Sequence, residues 1–206
     1  MRTPLVLALL SGFAMTACGP ASPDPASPAP AAAPAPAAPA SSSASAAGST
    51  GAEPAGLRIA FDHGAGMGLR PCDGDAPDCV VLFDPAAEPH LRELVTVQVF
   101  NGPLEAVAAS QAGFERNAEG RLMTTYGRFE PVAVERFEVN GKPGMRAVIT
   151  CGISDPETGF HAGAGECLWA VVSEGARSVV ISSSGFPNGL EAAGPVVSSM
   201  RFLPAG

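Results

Sequence analysis

The chain is short of positive charge. Its 206 residues hold 12 basic and 20 acidic side chains, for a formal net charge of −8. Lys142 is the one lysine. No basic stripe of the kind that tracks a phosphate backbone is present. That argues against a nucleic-acid partner and against attraction to anionic lipid headgroups. Aromatic residues are also few, with Trp169 and Tyr126 the single members of their types. Catalytic signatures are missing. There is no His-Glu-x-x-His for zinc, no Gly-x-Ser-x-Gly elbow and no Cys-x-x-Cys pair. The three histidines, His63, His90 and His161, are far apart and read as loop or loop-edge residues. Gly64-Ala-Gly-Met-Gly68 is glycine-rich, but it lacks the dinucleotide-binding spacing and the helix that should follow.

What is present begins at the N-terminus. Arg2 precedes an apolar run from Leu5 to Met15 and then small residues, the pattern of a secretory signal. The run is too short to span a bilayer. It ends in Met15-Thr16-Ala17-Cys18, which resembles a bacterial lipobox with Met where the family pattern has Leu. The resemblance implies cleavage after residue 17 and acylation of Cys18. Gly19 stands where an aspartate would retain a lipoprotein in the inner membrane. By the sorting habit of Gram-negative lipoproteins, the expected address is the outer membrane, with the domain facing the periplasm. Several acyl chains on one cysteine hold far better than a single chain.

Residues 20–56 are almost wholly Ala, Pro, Ser and Gly, with Asp24 and Glu53 the only charges. Such a stretch buries too little apolar area to offset its ordering entropy. The expected organisation is therefore a signal at 1–17, a lipidated and disordered tether at 18–56, and one globular domain at 57–206.

Within that domain, Leu57, Ile59 and Phe61 alternate, which predicts a strand over 57–62. Strands are also predicted over 79–84 and 94–100, the latter with Val95, Val97 and Val99 on one face. The period then changes. Leu104, Val107, Ala108, Gln111 and Phe114 form one helical stripe, and the helix is expected to end near Asn117. Val139-Asn-Gly-Lys142 is a two-residue hairpin signal. In that register Glu135 lies opposite Arg146, Val134 opposite Ala147 and Val132 opposite Ile149. Glu174-Gly-Ala-Arg177 predicts a second tight hairpin between 166–174 and 177–184. Leu190, Val196, Val197 and Met200 suggest a last helix. Gly194-Pro195 interrupts it, leaving open whether the helix starts there or runs through.

Five cysteines less Cys18 leave Cys72, Cys79, Cys151 and Cys167. An even remainder in an exported chain reads as two disulfides, with three possible pairings. If strands 144–153 and 166–174 pair antiparallel, Cys151 falls opposite Cys167, Ile149 opposite Trp169 and Ala147 opposite Val171. Cys72 then pairs with Cys79 to close Cys-Asp-Gly-Asp-Ala-Pro-Asp-Cys. Asp73, Asp75 and Asp78 in that ring are hard oxygen donors and the one calcium candidate. The ring lacks the distal glutamate and flanking helices of an EF-hand, so it reads as a solvated acidic turn.

The segments VTVQVFNG, PLEAVAASQAGF, FEVNGKPGMRAVI, CLWAVVSEGARSVVISSS and VVSSMRF follow in an order that resembles the PsbP-like α/β/α sandwich group, which includes the DcrB-like exported lipoproteins. The resemblance implies an α+β domain, an antiparallel sheet flanked by helices. It also implies an accessory, assembly or chaperone-like role through a protein partner, without a cofactor. Two other readings are a small periplasmic hydrolase with a site at 154–166, where His161 lies near Glu157 and Glu166, and a toxin-neutralising or envelope-stress lipoprotein.

The anchor has a direct check. Cys18→Ser is expected to abolish incorporation of labelled palmitate and to release the protein from the membrane fraction. Unchanged labelling and fractionation would refute the lipobox reading.

Overall fold

Val95, Val97 and Val99 alternate with Thr96, Gln98 and Phe100, and in the computed structural model this segment is an inner strand of a seven-stranded sheet. The structure describes residues 49–74, 76, 78–124, 130–155 and 160–204. The signal, Cys18 and most of the tether lie outside the described residues. In chain order the strands are β1 (Ser49–Ala52), β2 (Ile59–Gly64), β3 (Gly68–Pro71), β4 (Cys79–Phe83), β5 (Glu93–Asn101), β6 (Phe114–Arg116), β7 (Leu122–Thr124), β8 (Val132–Ala133), β9 (Glu135–Val139), β10 (Lys142–Asp155), β11 (Phe160–Ser173), β12 (Arg177–Ser183) and β13 (Arg201–Phe202). The helices are α1 (Leu104–Ala112) and α2 (Gly189–Ser199).

The main sheet has the order β3-β4-β5-β12-β11-β10-β9, and every neighbouring pair is antiparallel. Side chains alternate between its two faces, so one strand serves two cores. On one face, Val97, Ala170, Val172, Val179 and Ile181 pack with Ala193 and Val196 of α2, with Met200 just after it and with Phe61 of β2. On the other, Met145, Ala147, Val171 and Val180 pack with Leu104, Val107 and Ala108 of α1. Each fully buried Val, Ile or Leu side chain contributes roughly 1.5–3 kcal/mol. This is the antiparallel sheet flanked by helices that the sequence predicts.

The described residues include a strand ahead of the expected boundary at 57. Strand β1 lies at the end of the predicted tether and pairs with β2 from Ser49↔Gly64 to Ala52↔Phe61, with Ala52 buried. Main-chain hydrogen bonds supply this pairing, so side-chain composition gave no sign of it. Helix α1 stops at Ala112 instead of near Asn117. Gly113 adopts the left-handed conformation (φ 61°) and donates its N–H to the Ala108 carbonyl, a glycine helix stop. Phe114, expected on the helical stripe, instead opens β6 and is still buried against the α1 core.

The Asn140-Gly141 hairpin forms with both residues at positive φ (50° and 71°), as a two-residue turn of this type requires. Glu135 stands opposite Arg146 as predicted. The pairing ends there. Val132 faces Thr124 of β7 in a small three-stranded sheet rather than Ile149, and the predicted Val134–Ala147 pair does not form. Pairing of β10 with β11 is offset by two residues from the prediction: Ile149 faces Cys167 and Ala147 faces Trp169. A shift of two preserves every face, so Cys151 stays on the same face as Cys167, as its diagonal neighbour, next to an irregularity between Thr150 and Gly152. The tight turn at 174–177 is present, with Glu174 and Arg177 paired at 2.9 Å.

Helix α2 runs through Pro195. Glu191, Gly194 and Pro195 all lie on its exposed side, where water can serve the carbonyl left without its N–H partner. The hydroxyl of Ser199 donates to the Pro195 carbonyl at 2.7 Å and accepts from the Asp62 N–H at 2.6 Å, tying the end of α2 to β2.

Gly165 is at φ +83°, and a Cβ there would lie 2.3 Å from the Gly185 carbonyl oxygen. Gly165→Ala is expected to destabilise the domain by about 1–3 kcal/mol in urea unfolding. A change below about 0.5 kcal/mol would refute the close approach of these two backbones.

Candidate functional site

Strand β10 shows where the sandwich is incomplete. Met145, Ala147 and Ile149 are buried under α1, while Arg146, Val148 and Thr150, on the α2 side, are exposed. Helix α2 packs over β5, β12 and β11 and also touches β9, but it leaves the Arg146–Thr150 part of β10 open. Val148 is 41 % exposed, and it is the one large apolar side chain so exposed among the described residues. Its cross-strand neighbour is Leu168. Two shallow grooves meet at Arg146 and Leu168. One, of about 300 Å³, runs past Val148 to Val132 and Glu135. The other, of about 250 Å³, runs between Phe137 and the Val197 side of α2.

Arg146 organises this strip. Its guanidinium carbon lies 5.4 Å from the centroid of the Phe137 ring, and its Nη2 lies 3.1 Å from a Glu135 carboxylate oxygen. An exposed ion pair of this kind contributes about 0–1 kcal/mol. Its effect is to hold the side chain flat, so that the stem covers apolar surface and the charge stays in water. Strand β9 is the sheet edge, and its exposed Glu135, Arg136 and Glu138 discourage pairing with a stray strand. The strip offers apolar contact, one fixed cation and hydrogen-bonding carboxylates. It has the composition of a contact surface.

The acidic ring lies at the other end of the sheet. Cys72 and Cys79 are at disulfide distance, with Cα atoms 5.4 Å apart, and the Cys72 N–H donates to the Cys79 carbonyl. Asp73 accepts from Arg70 at 2.9 Å, and Arg70 also pairs with Glu93. The hydrogen bond that Arg70 donates to Asp73, with the one it donates to Glu93, holds its guanidinium above its ordinary pKa, although desolvation opposes this. Asp78 sits in the left-handed region (φ 58°), and its carbonyl accepts from the Val99 N–H. Asp75 lies outside the described residues. Of the calcium candidates, Asp73 is thus already spent on a cation. Among the described residues no three His, Cys, Asp or Glu side chains are grouped to hold a metal.

Cys151 and Cys167 are likewise at disulfide distance, with Cα atoms 5.8 Å apart, inside the range a disulfide spans. The glycine-rich stretch beyond them, predicted as a loop, is instead an extension of β10 and β11, with Ser154 opposite His161 and Asp155 opposite Phe160. Main-chain pairing, as between Ile153 and Ala162, carries the two strands on where a loop was expected. Glu166 is exposed on β11 opposite Thr150, and Glu157 lies outside the described residues. His63 is buried on β2 with Nδ1 2.9 Å from the Gly64 carbonyl oxygen, and His90 sits exposed in a single 3₁₀ turn. The three histidines stand on three separate elements. The uncovered strip was missed by sequence reading. Its one signal was the alternation Arg146, Val148, Thr150, in which a valine occupies a solvent-side position.

Since Asp73 is committed to Arg70, calcium should not matter to the fold. The melting temperature is expected to be the same in about 1 mM calcium as in chelator. A rise with calcium that Asp75→Asn removes would show a site.

No family model and no curated protein matches the chain. Among solved structures, it is similar to PsbP (CyanoP) from Synechocystis sp. PCC 6803, with a TM-score of 0.46 and 13% identity, over 76% of this chain and 93% of that one. It is also similar to a protein from Bacteroides thetaiotaomicron VPI-5482, with a TM-score of 0.44 and 8% identity, over 72% of this chain. The chain spans 46% of that protein's length. Neither likeness assigns an activity.

Proposed function

We propose that this protein is an envelope lipoprotein whose domain is a protein-binding or assembly module. In this reading Cys18 carries the lipid, the outer membrane holds it, and the Ala/Pro/Ser-rich tether lets the domain reach a partner in the periplasm. One observation carries the binding role: Val148 is exposed on an open part of the sheet, beside the half-buried Phe137 and the fixed Arg146. Apolar side chains rimmed by charge are the usual make-up of a protein contact surface. The acidic surface and the anchoring segment fit a partner that is a protein rather than a nucleic acid. Among the described residues no helix is long and apolar enough to cross a membrane.

A photocrosslinking residue placed at Val148 tests this in intact cells. The expected result is one discrete protein adduct, absent when the same residue replaces Glu191 on the exposed side of α2. Val148→Glu is expected to remove the partner from affinity purifications while changing stability by less than about 0.5 kcal/mol, since the side chain is exposed. Equal adduct patterns at the two positions would overturn the assignment of this strip.

A further inference from the structure

The opposite face of the sheet carries a polar cleft that partner binding through Val148 does not use. The strand registers define it. Arg70 pairs with Val81, Val81 with Thr96, Thr96 with Ser182, Ser182 with Trp169, and Trp169 with Ala147. These six residues form one cross-strand row on the α1 face. In the next row, Gln98 lies between Cys79 and Val180. Helix α1 rests its apolar side on Ala147, Val171 and Val180. It therefore covers one side of these rows and leaves Thr96, Gln98 and Ser182 open beside it.

Ser110 and Gln111, on the flank of α1, supply the facing wall. The result is a cleft of about 330 Å³ lined by Thr96, Gln98, Ser110, Gln111, Trp169 and Ser182, with Phe100 and Val180 completing it. That volume lies at the lower end of small-ligand sites. The residue types are selective in an unusual way. On its α2 face β5 carries Val95, Val97 and Val99, whereas towards α1 it carries Thr96 and Gln98. Hydroxyls and amides occupy the open part of the face, and none of the lining residues ionises. The cation in the row, Arg70, is engaged by Asp73 and Glu93. A phosphate or carboxylate ligand would find no free positive charge among the lining side chains, and two carboxylates at that edge.

We propose that this cleft binds a neutral, hydroxylated ring ligand, a saccharide. The C–H face of a sugar ring suits the negative face of the Trp169 indole. A sugar hydroxyl both donates and accepts, and so do a glutamine amide and a serine or threonine hydroxyl. Gln98 and Gln111 would bracket the ring from strand and helix, with Thr96 and Ser182 beneath it.

Trp169 is the only tryptophan in the chain, so selectively excited tryptophan fluorescence reports on this cleft alone. The full-length protein, in a detergent without a sugar headgroup, is titrated with maltose, cellobiose and N,N′-diacetylchitobiose, with calorimetry in parallel. The expected result is a saturable spectral change, with matching heat, for at least one of the three. Gln98→Ala and Gln111→Ala should each weaken it by roughly tenfold, the effect of losing one well-made hydrogen bond. Gln111 is on the flank of a helix, where alanine is well tolerated, so that variant keeps its fold. No saturable signal in fluorescence or heat up to about 50 mM of any sugar would overturn the proposal. So would binding that both variants leave intact, or tighter binding of glucose 6-phosphate or tetramethylammonium than of the neutral sugars.

Discussion

Strand β11 is the constraint on which the rest of the structure depends. It is hydrogen-bonded on both sides, to β10 and to β12, and it is buried on both faces. Ala170 and Val172 belong to the core under α2, while Val171 and Cys167 belong to the core under α1. A one-residue slip would exchange these sets and put each core's side chains under the wrong helix. Such a strand holds its register from two directions at once. The tight turn after it fixes β12: the Ser173 hydroxyl accepts from the Gly175 N–H, and Glu174 pairs with Arg177. The Cys151–Cys167 pair lies at the other end, where the ladder becomes irregular.

The two exposed sites share one geometric origin. Seven strands at about 4.8 Å spacing put the outer strand axes roughly 29 Å apart. Helices α1 and α2 have 9 and 11 residues, which makes them about 13 and 16 Å long. Whatever its direction, neither helix can cover that width. Each helix therefore leaves a margin of its face, β2 fills part of the one beside α2, and the chemistry of what stays bare follows from the strand that supplies it. On the α2 side it is β10 and β9, with Val148, Arg146 and Phe137. On the α1 side it is the open stretch of β5 and β12 beside the helix, inside the sheet rather than at its rim, with Thr96, Gln98 and Ser182. Both margins are built on sheet, so they are rigid, as a recognition surface should be.

Much of this was legible from local pattern. The alternation of Val95, Val97 and Val99 located β5, and the Asn140-Gly141 pair located a hairpin whose Glu135–Arg146 register is correct. The cysteine pairing was also legible, although the register behind it was off by two. A two-residue error leaves every side chain on its proper face, so the pairing survived it. Other features were not legible because no local pattern encodes them. Strand β1 has small, featureless side chains and forms by main-chain bonding to β2. The ribbon beyond Cys151 was hidden by glycines that read as a loop. The end of α1 was misplaced because Phe114 kept the helical stripe going past Gly113, although a glycine there ends a helix more firmly than a stripe extends it.

The sequence by itself determined most of the strand and helix periods, the tight turns and which cysteines meet. Each of these is a short-range signal, carried by residues within a few positions or by a pattern of period two or 3.6. Tertiary structure alone decided that α2 would run through Pro195, that β1 would join the domain, and which parts of each face stay uncovered. Those outcomes rest on how far a helix reaches across strands distant in sequence, and on which carbonyls meet water. No run of neighbouring residues records either distance.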